Sequence, residues 1–278
     1  QVQRGGAAVK ADDLDFLCAL VRARSGLVLS GERGFFVETR LAPLARREGL
    51  ASVSELIGKI REQPVGDLAR AAIEAMTVQE TGFFRDRLAF KGLAALVMPI
   101  LAPGNGKALR IWSAGCGQGQ EAYSLAMLAA ESERNLPIEI LATDLSAAAL
   151  EKAQAGIYTH FEVQRGLPIR RLLRHFDEQD EVWRANAPLR QAVRWMRLNL
   201  IDPFTVEEGY DLILCRNVVA TFAPDARAAT LAKLEKALAP GGRLMLGSGE
   251  PAPDGFEALP GVPCLFARAG ENETVIAA

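Results

Sequence analysis

The residues with most chemistry to offer lie at 109–124, Leu-Arg-Ile-Trp-Ser-Ala-Gly-Cys-Gly-Gln-Gly-Gln-Glu-Ala-Tyr-Ser. Gly115, Gly117 and Gly119 follow a short apolar run, Leu109 to Trp112, and a helical pattern begins at once. A strand, a glycine turn and a helix start bring backbone N–H groups close to a ligand, with the positive end of the helix dipole behind them. Asp144 closes a second apolar run, Ile138 to Thr143, about 25 residues after Gly119, where a carboxylate can accept hydrogen bonds from a ribose. Together these features specify a nucleotide-type ligand at the carboxyl edge of a parallel sheet, without saying which one. The spacing argues against a nicotinamide-dependent dehydrogenase, because the last glycine of the dinucleotide fingerprint falls about three residues after the second. No second nucleotide-binding half follows.

Alternating elements must position these residues. A helix is expected from Gly119 to about Glu133, and another from the cap Ser146 through Ala155, ended by Gly156. Residues 157–181 suggest short helices broken at Gly166-Leu167-Pro168. Val182 to Arg184 and Val193 to Leu198 read as short β runs around a turn at Asn186-Ala-Pro188. A buried strand at Tyr210 to Cys215 precedes a helix from Asp225 to Ala239. Pro240-Gly241-Gly242 then turns the chain into a strand at Arg243 to Leu246, and Cys264 to Arg268 is the last strand. The alternation implies an open, mostly parallel sheet covered on both faces.

Residues 11–76 read as a small helical bundle. Asp12 and Asp13 are expected to cap a first helix that Ser25-Gly26 stops, and Ser30 to start a second that runs toward Gly49. Ser52-x-x-Glu55 has the capping-box pattern, and Pro64-Val65-Gly66 breaks the chain before a helix at Leu68 to Met76. Arg33, Arg40 and Arg47 recur at every seventh position and share nearly one face. That face is either simply solvated or a basic strip that docks an acidic partner.

Composition narrows the classes. The chain has 278 residues, 49% hydrophobic and 24% charged, with a formal net charge of −2. This balance gives no reason to expect nucleic acid as a partner. No apolar run reaches membrane-span length, so no membrane insertion is expected, and residues 1–6 carry no apolar signal core. Cys18, Cys116, Cys215 and Cys264 are far apart, with only His160 and His175 beside them. That pattern argues against a metal site or a disulfide scaffold and fits a reducing cytoplasm. Cys116 and Cys215, which flank the cleft, are the two worth inspecting.

Several further stretches resemble the bacterial chemotaxis receptor methyltransferases, the CheR family, over nearly the whole chain. Ser25-Gly-Leu-Val-Leu-Ser30, Arg40-Leu41 and Gly49-Leu50 are similar to its N-terminal helical domain. Met76-Thr-Val-Gln-Glu-Thr-Gly-Phe-Phe-Arg-Asp86 resembles its interdomain signature, and Trp112-Ser-Ala with Gly119-Gln-Glu-Ala-Tyr-Ser124 its cofactor loop. Ala142-Thr-Asp144, Gly156-Ile-Tyr158, Asn199-Leu200 and Cys215-Arg-Asn-Val218 follow in order. The resemblance implies an α/β, Rossmann-like methyltransferase domain at 91–278, with a short inserted β-subdomain at about 177–197. Before it would come a small all-helical, receptor-docking domain at 11–76 and an interdomain segment at 77–90.

The resemblance further implies S-adenosylmethionine as methyl donor, S-adenosylhomocysteine as product, and glutamates of the chemoreceptor cytoplasmic domain as acceptors. Arg85 and Thr221 would be catalytic. Gln79, Thr81, Arg85, Gly115, Glu121, Asp144, Asn199, Leu200, Arg216 and Asn217 would contact the cofactor, while Arg40 and Arg46 would face the receptor. The residues match such chemistry without a triad or a metal. A glutamate, with a reference pKa of about 4.3, is already ionised at neutral pH, so methyl transfer needs alignment and dehydration rather than a base. Phe83 and Phe84 read as packing anchors beside Arg85.

Departures from the family pattern define a second reading. Gln79 stands where an asparagine is usual, Thr221 replaces a tyrosine placed near the transferring methyl, and Gly247-Ser-Gly-Glu250 replaces Gly-His-Ser-Glu. These changes motivate an alternative in which the chain binds S-adenosylmethionine or S-adenosylhomocysteine as a regulatory module. The region about 177–197 is short and lacks the glycine-containing loop that grips a receptor's tethering peptide, so no such peptide is expected to be used.

Overall fold

The computed structural model describes residues 9–77, 81–98, 107–132, 137–204, 209–262 and 264–271. The chain forms two compact units, one of Gln1–Val78 with Thr221–Arg227 and one of Gln79–Ala220 with Ala228–Ala278.

In the first unit, α1 (Ala11–Ser25), α2 (Arg33–Arg47), α3 (Val53–Glu62) and α4 (Asp67–Met76) bury Leu17, Val21, Val37, Leu41, Ile57 and Met76. Two helix starts differ from the sequence reading. Asp12 and Asp13 lie in the first turn of α1 rather than capping it, where their charge still favours the helix dipole. α2 begins at Arg33 instead of Ser30, because Gly31 at φ 78° interrupts the helical path. The Ser52 hydroxyl accepts from the Glu55 N–H at 3.1 Å, and the Glu55 carboxylate takes the Ala51 N–H at 2.9 Å. Residues 221–227 join this unit through backbone bonds, Val28 N–H to Thr221 C=O at 2.9 Å and Ala223 N–H to Gly26 C=O at 2.7 Å.

The second unit opens with α5 (Arg87–Gly92), β1 (Leu109–Ala114), α6 (Gln120–Ala130), β2 (Ile138–Asp144) and α7 (Ala147–Ala155). Next come β3 (Ile157–Thr159), α8 (His160–Gln164), α9 (Ile169–His175), β4 (Phe176–Gln179), β5 (Val182–Ala185), α10 (Ala187–Gln191) and β6 (Val193–Arg197). The order ends with β7 (Tyr210–Leu214), α11 (Pro224–Ala237), β8 (Leu238–Met245), β9 (Phe256–Ala258) and β10 (Leu265–Arg268). A seven-stranded sheet runs β6-β2-β1-β7-β8-β10-β9, parallel from β6 to β8 and antiparallel beyond. β1 sits between β2 and β7, so the connections leave its carboxyl end in opposite directions and open a crevice there.

The second sheet is not the expected 177–197 insertion. Its order is β3-β5-β4, from residues 157–185, and β6 instead pairs with β2 at the edge of the main sheet. The side chain of Asn186 accepts from the Leu189 N–H at 3.1 Å, so the turn expected at Asn186-Ala-Pro188 is the start of a short helix. Pro240-Gly241-Gly242 also lies inside β8, as a bulge between the Tyr210–Leu238 and Leu212–Arg243 pairings. Gly242 is required there, since a Cβ would sit 2.8 Å from the Tyr210 carbonyl.

Candidate functional site

The glycine turn is built as its residue types demand. Gly115, Gly117 and Gly119 have φ of 77°, 55° and 91°, a region where a side chain is strained. A Cβ on Gly115 would lie 2.4 Å from Val218 Cγ2, so the ends of β1 and β7 meet here with no room for a methyl group. The Gly115 and Cys116 N–H groups both donate to Thr143 C=O, at 2.8 and 2.9 Å. Tyr158, fully buried, donates its hydroxyl to Gln118 C=O at 2.6 Å and pins the far side of the turn.

Asp144, 8% exposed at the end of β2, organises the turn. Its Oδ2 accepts from the Gly117 N–H at 2.8 Å and its Oδ1 from the Ser146 N–H at 2.9 Å. Asn199 and Leu200 follow β6. The Asn199 amide donates to Asp202 at 3.0 Å, and Leu200 C=O accepts from Lys233 Nζ and Thr230 Oγ1. The Leu198 N–H donates to Asp144 C=O at 3.0 Å, which ties that corner to the same strand end.

Arg216 and Asn217, just past β7, hold the site from the other side. The Arg216 side chain is 1% exposed. Its Nη1 donates to Glu121 Oε2 at 2.7 Å and to Arg85 C=O at 3.1 Å, its Nη2 pairs with the Asp86 carboxylate, and its Nε donates to Leu246 C=O at 3.4 Å. Burying a guanidinium costs several kcal/mol unless its donors are used, and here two carboxylates and two carbonyls use them. Arg216 is thus a clamp joining the Arg85 segment, the first turn of α6 and the end of β7. Asn217, at φ 59°, donates its N–H to Glu250 Oε1 at 2.9 Å, which also takes the Gly247 N–H at 3.1 Å.

Thr81, Arg85, Arg87 and Arg165 line a cavity of about 350 Å³. Its wall is stiff. Phe83 is fully buried, with its ring edge-on to Tyr158 at 5.1 Å and to Phe176 at 5.5 Å. The Phe84 N–H is held by Ser124 Oγ at 3.0 Å, and Arg171 stacks over the Phe84 ring at 4.3 Å. A Cβ on Gly166 would lie 2.0 Å from Phe83 C=O, so only glycine allows the 165–166 turn to close against this wall. Phe84 at φ 48° and Asp86 at φ 62° are strained, as functional segments often are.

The structure thus brings Gly115 and Asp144 together at the glycine turn, and ties Glu121, Arg216 and the Arg85 backbone into one network. Thr81 and Arg85 belong to this same α/β unit. Thr221 groups with the helical unit instead, as do Arg40, stacked over Phe36 at 5.3 Å, and the exposed Arg46 on α2. Gln79 lies outside the described residues. Cys116 and Cys215 are buried thiols whose pKa values burial pushes up, with Asp144 adding to the rise at Cys116 and Glu250 at Cys215. Both stay protonated at neutral pH, so neither serves as a nucleophile. Sequence reasoning named Ser124 and Glu250 only within motif stretches and Gly166 only as a breaker, giving none of them a role, and Arg171 had no local signal.

An adenosyl sulfonium ligand fits this donor set. Backbone N–H groups at the α6 start, a carboxylate at the β2 end and a cavity with Arg85 are the groups such a molecule requires. Gln120 Oε1 is buried beside the turn with no hydrogen-bond partner among the described residues, an acceptor that an amino-bearing ligand would satisfy. Among the described residues no helix is long and apolar enough to cross a membrane, and no group of three or more His, Cys, Asp or Glu is placed to hold a metal.

Known proteins are similar to this chain over most of its length. Residues 79–260 match the family described as CheR methyltransferase, SAM binding domain, and residues 12–77 its all-alpha domain. Chemotaxis protein methyltransferase 1 of Pseudomonas aeruginosa is 35% identical over 92% of this chain and 97% of its own. Chemotaxis protein methyltransferase Cher2 of Pseudomonas putida is 35% identical over 86% of this chain and 87% of its own. Chemotaxis protein methyltransferase 1 of Vibrio cholerae is 34% identical over 87% of this chain and 91% of its own.

Proposed function

From the premise that this chain belongs to the CheR methyltransferase family, we propose that it methylates glutamate side chains on the cytoplasmic domain of chemoreceptors. S-adenosylmethionine supplies a methyl group on a positively charged sulfur; S-adenosylhomocysteine and a glutamyl methyl ester are the products. The observation that carries the reading is the Arg216 clamp, which holds the Arg85 segment and the α6 N-terminus in one fixed relation. An acceptor glutamate is an anion at neutral pH, so the chain's work is to orient it and strip its water.

In this reading Asp144 meets the ribose while holding Gly117, since a carboxylate has acceptor sites for about four donors. Gly115, Gln79, Thr81, Glu121, Asn199, Leu200, Arg216 and Asn217 complete the cofactor surroundings. Arg85 meets a carboxylate in the cavity, the cofactor's or the acceptor's. A binding module without turnover is not favoured, because relatives 34–35% identical across 86–92% of the chain are named methyltransferases.

The test is transfer of labelled methyl groups to a receptor cytoplasmic fragment, scored as label that leaves as methanol in base. No base-labile label, despite bound S-adenosylhomocysteine, would reject the reading. The β4–β5 hairpin turns through Asp180 and Glu181 alone, with Gln179 paired to Val182, so incorporation should not depend on the receptor's C-terminal tail.

Two positions outside the α/β unit yield further expectations. Thr221 takes the place where the resemblance puts a tyrosine, so Thr221→Tyr should raise kcat severalfold and leave cofactor affinity alone. An unchanged kcat would remove this position from the reaction. Arg33, Arg40 and Arg47 run along one side of α2 and Arg46 stands exposed in its last turn, with Arg47 paired to Glu48 at 3.1 Å. Reversing charge with Arg40→Glu and Arg46→Glu should reduce receptor labelling about tenfold without touching cofactor affinity. Equal labelling by the double variant would exclude α2 from docking.

A further inference from the structure

We infer that the outer face of α8 and α9, continuous with the Arg85 cavity, docks an acidic amphipathic helix of the methyl-accepting protein; this rests on the acceptor reading above. Among the described residues, the exposed large apolar side chains of the α/β unit are Leu88, Ile157, Phe161, Ile169 and Leu173, and the last three lie on α8 and α9 at 69%, 63% and 67% exposure. Ile169 and Leu173 are one helical turn apart and share a face, while Leu172 and His175 take the buried side. Arg170 and Arg174, also one turn apart, run beside that apolar seam. Arg165 stacks over the Phe161 ring at 5.9 Å, so cationic and apolar groups interleave.

The acid of α8, Glu162, is paired to Lys152, and from there through α9 the charge is one-sided. Residues 163–176 contain four arginines and no Asp or Glu. Arg171 turns inward to Glu131 at 2.8 Å, whereas Arg165, Arg170 and Arg174 are exposed and form no ion pair among the described residues. With a net charge of −2 over the chain, this is a local cationic patch rather than a general property. Arg165 belongs to both places, lining the cavity with Arg85 and Arg87 and also flanking α8. A helix that lays its apolar stripe on Ile169 and Leu173, with carboxylates one turn apart against Arg170 and Arg174, would lead its next carboxylate toward Arg165 and the cavity. An anionic membrane surface also favours arginine beside apolar groups, but α8 and α9 have only five and seven residues, and a membrane makes no use of the cavity at their edge.

The experiment uses the full chain and a chemoreceptor cytoplasmic fragment that the wild-type protein labels. Arg170→Glu/Arg174→Glu and, separately, Leu173→Asn should each raise KM for the fragment about tenfold, with kcat, S-adenosylhomocysteine affinity and melting temperature near wild type. KM unchanged in both variants would overturn the docking face while leaving the acceptor reading intact. Loss of sedimentation with phosphatidylcholine–phosphatidylglycerol vesicles, with KM unchanged, would overturn it in favour of a membrane. A wild-type protein that labels no receptor fragment would overturn the acceptor reading, and this face with it.

Discussion

Arg216→Ala should abolish most activity and cost about 3 kcal/mol of stability, because it leaves the Glu121 carboxylate, 13% exposed, buried without its cation. The Asp86 carboxylate, 37% exposed, recovers water and contributes less to that loss. The larger consequence is positional. Arg216 holds Arg85 C=O and Asp86 on one side and the first turn of α6 on the other, so its removal frees the Arg85 segment from the cofactor turn. A misplacement of about 1 Å in such an arrangement lowers turnover roughly 100-fold. Arg216→Lys separates the two effects. A lysine keeps the charge but cannot bond Glu121, Asp86 and two carbonyls at once, so most stability should return while kcat stays low. Denaturant melts and labelling kinetics on both variants check this, and a lysine variant with wild-type kcat would show that charge alone suffices.

Asp144→Ala should weaken S-adenosylhomocysteine binding about 100-fold by calorimetry, through two losses of comparable size. One is the acceptor proposed for the ribose. The other is the frame of the turn, because Gly117 and Ser146 each lose the acceptor for a buried N–H, at roughly 1–3 kcal/mol per group. Asp144→Asn is not a mild substitute, since its amide would present a donor to one of those N–H groups. Both variants should therefore melt several degrees lower as well as bind poorly. Affinity within about threefold of wild type for either variant would detach Asp144 from the ligand.

Much of this architecture was legible because it is decided within a few residues. The Ser146 cap and the Gly156 stop bound α7 as read, the Ser146 hydroxyl accepting from the Ala149 N–H at 3.2 Å and Gly156 lying at φ 65°. Apolar runs at 109–112 and 138–143 became adjacent parallel strands, Leu109 opposite Ile138. The glycine turn follows from strand, glycines and helix start alone, and its left-handed φ values are what those residues are suited for. Where the reading failed, a competing long-range pairing decided the outcome. Val193 to Leu198 read as a short β run across a turn from Val182 to Arg184, and Val193–Arg197 instead completes the edge of the main sheet. Pro240-Gly-Gly242 looked like a turn and is a bulge, because β8 keeps its pairing with β7 on both sides of it.

The sequence alone thus determined the helical and α/β halves, the nucleotide-type turn and its acidic partner, since capping, periodicity and glycine conformation act locally. Only the tertiary structure decided that Arg216 pairs with Asp86 and Glu121, 130 and 95 residues away, and that Glu250 holds Asn217 from 33 residues away. Such contacts depend on which strand ends meet at the crevice. Side-chain type permits many partners for a buried charge, and only the folded chain supplies one of them.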